Sequence, residues 1–376
     1  MADVAIQAGP RALAHIRANG LSANDITIVP GAAGGPKGLG LAKLDEWLFA
    51  DWLPTSFATR TKPINLIGAS IGAWRFASVC KGAPGGVFSS QATRAGLRAL
   101  ADAYCEQRYP KNTNAAFVSG TARDLIRDLF VGQIGDVLSH PHYRLNLLAV
   151  RGKGLLARDV PGRTHVGFAA ATVANLGGRR HLRHFLDRVW FTANSPETSA
   201  PIGVSPLFAA QFDAFHTDYA TLTETNFSDA LVSSGSIPLV MQGVSNIVGA
   251  PRGTYWDGGI IDYHLSLPYA AHAGLTLYPH FTHTITPGWL DKAVPWRRAR
   301  GHDLDSLILI SPTADYLARL PNARLPDRGD FKRYADDADT RIKHWRTAMA
   351  ESERLRDEVA KAFSSDRLAD LITPLP

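Results

Sequence analysis

Ile64-Asn65-Leu66-Ile67-Gly68-Ala69-Ser70-Ile71-Gly72-Ala73-Trp74 reads as a strand, a sharp turn and the start of a helix. The run ending at Ile67 is long and apolar enough for a buried strand, and residues 71–79 have helical spacing. Between them lies a GxSxG, Gly68-Ala69-Ser70-Ile71-Gly72. A serine at a strand-to-helix turn needs small neighbours on both sides before its hydroxyl can project clear of the sheet. The following helix aims its amide end and positive dipole at the same point.

Upstream the order repeats. Residues 11–19 are helical by pattern, 26–29 form a short apolar run closed by Pro30 and Gly31, and 39–49 place Leu41, Leu44 and Leu48 at helical spacing. Alternating strands and helices imply parallel strands joined by helical crossovers, an α/β fold. Further strands are expected at 145–150, 189–191, 275–277 and 307–310. Residues 91–140 read as mostly helical, with Leu97, Leu100, Ala101 and Tyr104 on one face. Residues 194–227 mix Pro, Ser, Thr and aromatics and read as loops with short helices over the sheet. Over 330–363, apolar residues from Phe331 to Phe363 recur every three or four positions, the pattern of an amphipathic helix packed on the core.

Composition removes several classes. With 376 residues, 45% of them hydrophobic, the chain buries enough surface to exclude disorder. Two cysteines, Cys80 and Cys105, supply neither a disulfide framework nor a thiolate zinc site and read as buried thiols. The most membrane-like stretch, 166–176, is too short to span a bilayer, and the first twenty residues lack a secretory pattern, so a cytoplasmic location is expected. The net charge is +6, but 34 acidic residues are interleaved with the basic ones and no nucleic-acid motif appears. Two local runs, 179–184 (RRHLRH) and 296–300 (WRRAR), are the places where an anionic lipid surface would be met.

Two more segments carry chemistry. Gly31-Ala32-Ala33-Gly34-Gly35-Pro36-Lys37-Gly38 follows the first strand. It is not a phosphate-cradling GxxxxGK loop, because Pro36 precedes Lys37 and Gly38 replaces the required Ser or Thr. It is not a dinucleotide GxGxxG either, since Lys43 stands where the third glycine belongs. Such a turn can instead present backbone N–H groups to an oxyanion, typically about 2.7–4 kcal/mol of transition-state stabilisation per donor. Downstream, Tyr255-Trp256-Asp257-Gly258-Gly259 sets a carboxylate at the end of a short aromatic run. A carboxylate can take a serine proton directly if burial lifts its pKa, and Trp256 is the neighbour expected to help.

In that order, glycine loop, GxSxG and Asp-Gly-Gly resemble the patatin-like phospholipase family, bacterial type, over residues 24–265. Ser233-Ser234-Gly235-Ser236-Ile237-Pro238 is similar to the segment that family carries before its Asp-Gly-Gly. The resemblance implies a three-layer α/β/α sandwich with a mostly parallel central sheet. It also implies a Ser–Asp dyad without histidine: Ser70 as nucleophile, Asp257 as general base, and Gly34, Gly35 and Lys37 as the oxyanion site. Gly38, Gly68, Gly72, Gly258 and Gly259 would support the turns. Ala33 departs from the usual first glycine, Pro36 fills a variable position, and no proline pair follows Pro238. Residues 1–285 are then expected to form the hydrolase domain, with 286–376 as an extension holding strand 307–310 and helix 330–363.

The implied activity is a lipid acyl hydrolase of phospholipase A, lysophospholipase or carboxylesterase type, working through a covalent acyl-serine with no cofactor. Expected partners are a fatty-acyl ester and the periphery of an anionic membrane, with no transmembrane segment and no nucleic acid. Three alternatives share the serine. A Ser-His-Asp esterase would draw on His264, His280, His283 or His344, but one clear strand before the nucleophile and no HGGG-like loop weigh against it. An acyltransferase of the GHSxG kind would want histidine where Ala69 stands, and a non-catalytic lipid-binding protein would keep only the turns. No HExxH or spaced His/carboxylate cluster suggests a metal.

Overall fold

The computed structural model describes residues 2–110, 112–193, 207–209 and 211–375. Its strands are β1 (Val4–Ala8), β2 (Ile26–Gly31), β3 (Ile64–Ala69), β4 (Tyr143–Gly152), β5 (Leu186–Ala193), β6 (Thr217–Leu222), β7 (Val244–Ser245), β8 (Thr254–Asp257), β9 (Leu275–Pro279), β10 (Leu307–Pro312) and β11 (Ile372–Pro374). The helices are α1 (Pro10–Asn19), α2 (Ala42–Trp47), α3 (Ile71–Val79), α4 (Ser90–Cys105), α5 (Ala115–Phe130), α6 (Ile134–Leu138), α7 (Arg163–Gly177), α8 (Phe227–Ser234), α9 (Ala314–Arg319), α10 (Gly329–Arg333), α11 (Ala338–Phe363) and α12 (Leu368–Leu371).

All eleven strands join one mixed sheet in the order β11-β1-β10-β9-β2-β3-β4-β5-β6, with β8 on β4 and β7 on β8. The central pairs β10-β9, β9-β2, β2-β3 and β3-β4 are parallel; β1-β10, β4-β5, β4-β8 and β7-β8 are antiparallel. Every residue of β3 is buried, as expected of a strand covered on both faces. Helices flank the sheet, and the architecture is a three-layer α/β/α sandwich.

Helix α3 matches its expected span, while other elements differ instructively. The stretch 39–49 is not one helix: a 3-10 segment, Gly35–Leu41, leads into α2, and Leu48–Trp52 winds more loosely. The long C-terminal helix starts at Ala338 rather than 330, because the chain turns between α10 and the cap at Asp337, whose carboxylate accepts from the Thr340 N–H at 3.0 Å. Two strands, β1 and β2, precede the nucleophile strand, not one. The expectation of loops over 194–227 falls partly outside the described residues; within them, 217–222 is strand β6.

β10 lies inside the sheet between β9 and β1, and β11 pairs with β1, so residues 286–376 and 1–285 share one sheet. Cys80 and Cys105 are both free and buried. Among the described residues, no helix is long and apolar enough to cross a membrane.

Candidate active site

Ser70 follows the last residue of β3 with φ 55° and ψ −127°, a conformation costing a non-glycine residue on the order of 1–3 kcal/mol. Packing enforces it. A Cβ on Gly72 would stand 1.8 Å from the Gly31 carbonyl oxygen of β2, and one on Gly68 would stand 2.4 Å from the Ala73 nitrogen. Both motif glycines are therefore close-approach positions that let helix α3 press onto the strands. The Ser70 N–H donates to Ser234 Oγ at 3.0 Å, and the Ser234 hydroxyl donates to the Leu148 carbonyl of β4 at 2.6 Å. The Ser233–Pro238 segment thus ties the Ser70 backbone to the sheet.

Asp257 reaches the same place by register. On one edge of β4, parallel β3 ends with Ala69 opposite Leu148, and antiparallel β8 ends with Asp257 opposite Ala149. The two carboxyl ends meet head to head, and Ser70 and Asp257 are the residues at the junction. The Asp257 N–H donates to the Ser236 carbonyl at 2.9 Å, and its carboxylate accepts from the Gly259 N–H at 2.7 Å. The Ser70 side chain lies beside that carboxyl and helps hold its pKa down. Each residue is 7% exposed.

Burial pushes the Asp257 carboxyl up to about 6, against the opposing pull of the Gly259 N–H, the Arg328 cation, the Ser70 hydroxyl and Lys292. Trp256 does not supply that burial. It is the neighbour of Asp257 on a strand, so it faces the other way, into a separate apolar cluster with Val150, Leu156 and Phe168. The wall around the carboxyl is Ala33, Ile237, Pro238, Ile260, Tyr263 and Trp289.

Gly34 and Gly35 line this pocket beside Ser70. Gly35 needs its glycine, with φ +56°. Neither N–H donates to another described residue. Ala33 requires no left-handed backbone, and its N–H donates to the Tyr263 carbonyl at 2.9 Å. Pro36 sits in the first turn of the 3-10 segment, where a missing N–H goes unnoticed. Neither Ala33 nor Pro36 therefore strains the loop.

Lys37 stands elsewhere. Its Nζ lies 3.8 Å from Asp327 and 5.5 Å from the centre of the Phe281 ring, lining an adjacent cavity rather than the Ser70 pocket. The cation in the pocket is Arg328. Its side chain covers Gly35, whose Cβ would lie 3.3 Å from Arg328 Cγ, and it makes no hydrogen bond or ion pair with any described residue. Arg328 and Trp289 both come from the region expected to be an extension. No spacing relates them to the GxSxG; the fold alone brings them in.

On one side the pocket shares Ser70, Gly35 and Arg328 with a cavity of ≈ 500 Å³. Trp74, Val118, Ala122, Val240, Met241 and Phe331 give this chamber a mostly apolar wall. No histidine lines the pocket or the chamber among the described residues. His264 is buried, its Nδ1 accepts from the Thr286 N–H at 3.0 Å, and its ring stacks on Tyr263 with centroids 4.2 Å apart. His344 contacts the Tyr334 hydroxyl at 3.1 Å on α11. The strand count no longer argues against a Ser-His-Asp site, and these positions take its place. Among the described residues, no group of three or more His, Cys, Asp or Glu side chains could hold a metal ion.

The arrangement sets a hydroxyl on a strained turn, a buried carboxyl, two glycines whose N–H groups donate to no described residue, and an apolar chamber side by side. No protein-family model matches the chain, and no curated protein matches it.

Proposed function

We propose that this protein is a serine acyl hydrolase that cleaves fatty-acyl esters through a Ser70–Asp257 dyad, as the resemblance to patatin-like phospholipases implies. One observation carries the reading: Ser70 and a carboxyl with pKa about 6 share a buried pocket that opens onto the apolar chamber. Asp257 takes the Ser70 proton as Oγ attacks the ester carbonyl. The Gly34 and Gly35 N–H groups receive the developing oxyanion. The alcohol leaves with the proton from Asp257, and water activated by the same carboxylate then releases the acid from the acyl-serine. The chamber takes the acyl chain.

Long-chain ester hydrolysis by the native protein, lost at least about a thousandfold in Ser70→Ala and in Asp257→Asn with the fold retained, is the expected result. Near-native turnover by either folded variant would refute the dyad.

A further inference from the structure

The two basic runs do not behave alike in the fold. In 179–184, Arg179 is consumed internally, with Asp291, Asp213 and Asp262 within 4.0 Å. In 296–300, Arg297 binds the carbonyls of Asn175 and Leu176 at 2.6 and 2.9 Å and so caps the C-terminal end of α7. What remains is different. Arg180, Arg183 and Arg300 are exposed and make no hydrogen bond or ion pair with any described residue.

Those free arginines border an apolar surface. Helix α7 turns Val166, Val173 and Leu176 to solvent at helical spacing, an arrangement that a helix with one buried face ordinarily reserves for polar residues. Trp296, 78% exposed, adjoins the α7 end through its neighbour Arg297. Leu155 packs against α7 at Gly167 and is also exposed. No Asp or Glu occurs from residue 160 to 186. Asp159, the last carboxylate before that stretch, is held by Thr164 and the Gly243 N–H, and exposed Asp303 lies three residues beyond Arg300. A solvent-facing apolar helix with an exposed tryptophan at one end and unneutralised arginines at its border has the composition of a surface that lies in a lipid interface.

The surface also adjoins the active site. Trp289–Ala293 packs against α7, and Trp289 lines both the Ser70 pocket and the chamber. At the other end, the Asp159 link holds Gly243, three residues along the chain from the exposed chamber residue Val240.

We infer that the outer face of α7, with Trp296 and the free Arg180, Arg183 and Arg300, docks on an anionic lipid bilayer beside the chamber mouth. The occupant follows from charge complementarity: the apolar face fits the acyl boundary, and each arginine near the surface strengthens attachment to anionic headgroups several-fold. The inference rests on the hydrolase reading only for why a membrane is the destination.

The test is co-sedimentation of the full chain with phosphatidylcholine vesicles, with and without phosphatidylglycerol. The native protein binds the anionic vesicles, and Arg180→Glu/Arg183→Glu/Arg300→Glu and Val173→Ser/Leu176→Ser/Trp296→Ser each weaken binding about tenfold or more. Trp296→Ala alone, at a position outside the core, weakens it measurably and guards against misfolding of the multiple variants. Unchanged vesicle binding in the variants, or none by the native protein, overturns the proposal. So does a native dimer that the Val173/Leu176/Trp296 variant dissociates, which would assign the face to a second copy. Hydrolysis of a soluble short-chain ester and covalent labelling of Ser70 are read in parallel. Charge-dependent docking with an unreactive Ser70 would support the docking and refute the hydrolase reading, whereas a reactive Ser70 without docking would do the reverse.

Discussion

In the proposed dyad, the environment of Asp257 sets the pH at which it can accept a proton. With a pKa of about 6, the catalytic rate falls as pH drops through that value and the carboxylate protonates. Removing the nearby cation in Arg328→Gln raises the carboxyl further, and the acid limb of the pH–rate profile moves to higher pH. A limb that stays in place would show that Arg328 does not act on Asp257. The same shift has a stability consequence. Folding favours the protonated form of a carboxyl whose pKa is raised above 3.8, so the contribution is whole below that value and is lost as pH rises through about 6. Above it, holding the ionised carboxylate buried costs about 2–3 kcal/mol. Asp257→Asn is therefore expected to be inactive yet more stable by about that amount at pH 8, with the gain fading toward pH 4, as denaturant titration at the two pH values would reveal. Ser70→Gly likewise should lose activity and gain about 1 kcal/mol by relaxing the φ 55° turn, a gain Ser70→Ala lacks. Ser70 and Asp257 could be singled out in the sequence because each sits in a turn whose glycines announce it, and the fold brings the two together. Arg328 was not, since a single arginine carries no pattern until the fold sets it over Gly35.

Elements determine whether those residues meet. Gly72 lets α3 rest on β2, and Gly72→Ala would drive a methyl into the Gly31 carbonyl at 1.8 Å; a loss of more than about 3 kcal/mol is expected from chemical denaturation. Beyond the dyad, the loop after Asp257 is anchored by Arg188 on β5, buried with Asp262 at 2.7 Å and bonded to Asp213 at 2.7 Å. Arg188→Leu leaves Asp262 buried without its closest cation, which costs about 3–5 kcal/mol; thermal melts of this variant within a degree of native would contradict that role. The strands that surround this junction were readable to different degrees. Buried β3 and β10 announce themselves as apolar runs. β1 has a true alternation, Val4, Ile6 and Ala8 buried with Ala5 and Gln7 half-buried, but five residues rich in alanine and glutamine give it little contrast. β8 is four residues of aromatic run, and its place on β4 opposite Ala149 is a long-range pairing that no local pattern encodes.

At the scale of the molecule, the C-terminal quarter completes both the sheet and the pocket that holds Ser70 and Asp257. β10 separates β9 from β1, β11 pairs with β1 at the sheet edge, and α11 packs along α2. A chain ending at residue 285 would expose the unpaired edges of β9 and β1 and lose Trp289 and Arg328 from the pocket. It is expected to be insoluble or unfolded; a cooperative melt from that fragment would show the first 285 residues to be a self-sufficient unit. The boundary looked natural in the sequence because both Ser70 and Asp257 precede it, yet sheet order depends on pairings across more than 300 residues, such as Val4 with Pro312. The alternating strand–helix pattern was enough for the layered α/β class but not for the place of its last strands.

A nucleophilic Ser70 activated by Asp257 is tested most directly by reacting the folded protein with a fluorophosphonate and locating the adduct by mass spectrometry. One stoichiometric adduct on Ser70 is expected, slowed at least about a hundredfold in Asp257→Asn, in line with the loss of a general base. An unmodified Ser70 in folded protein, or an adduct on another residue with Ser70 intact, would contradict it.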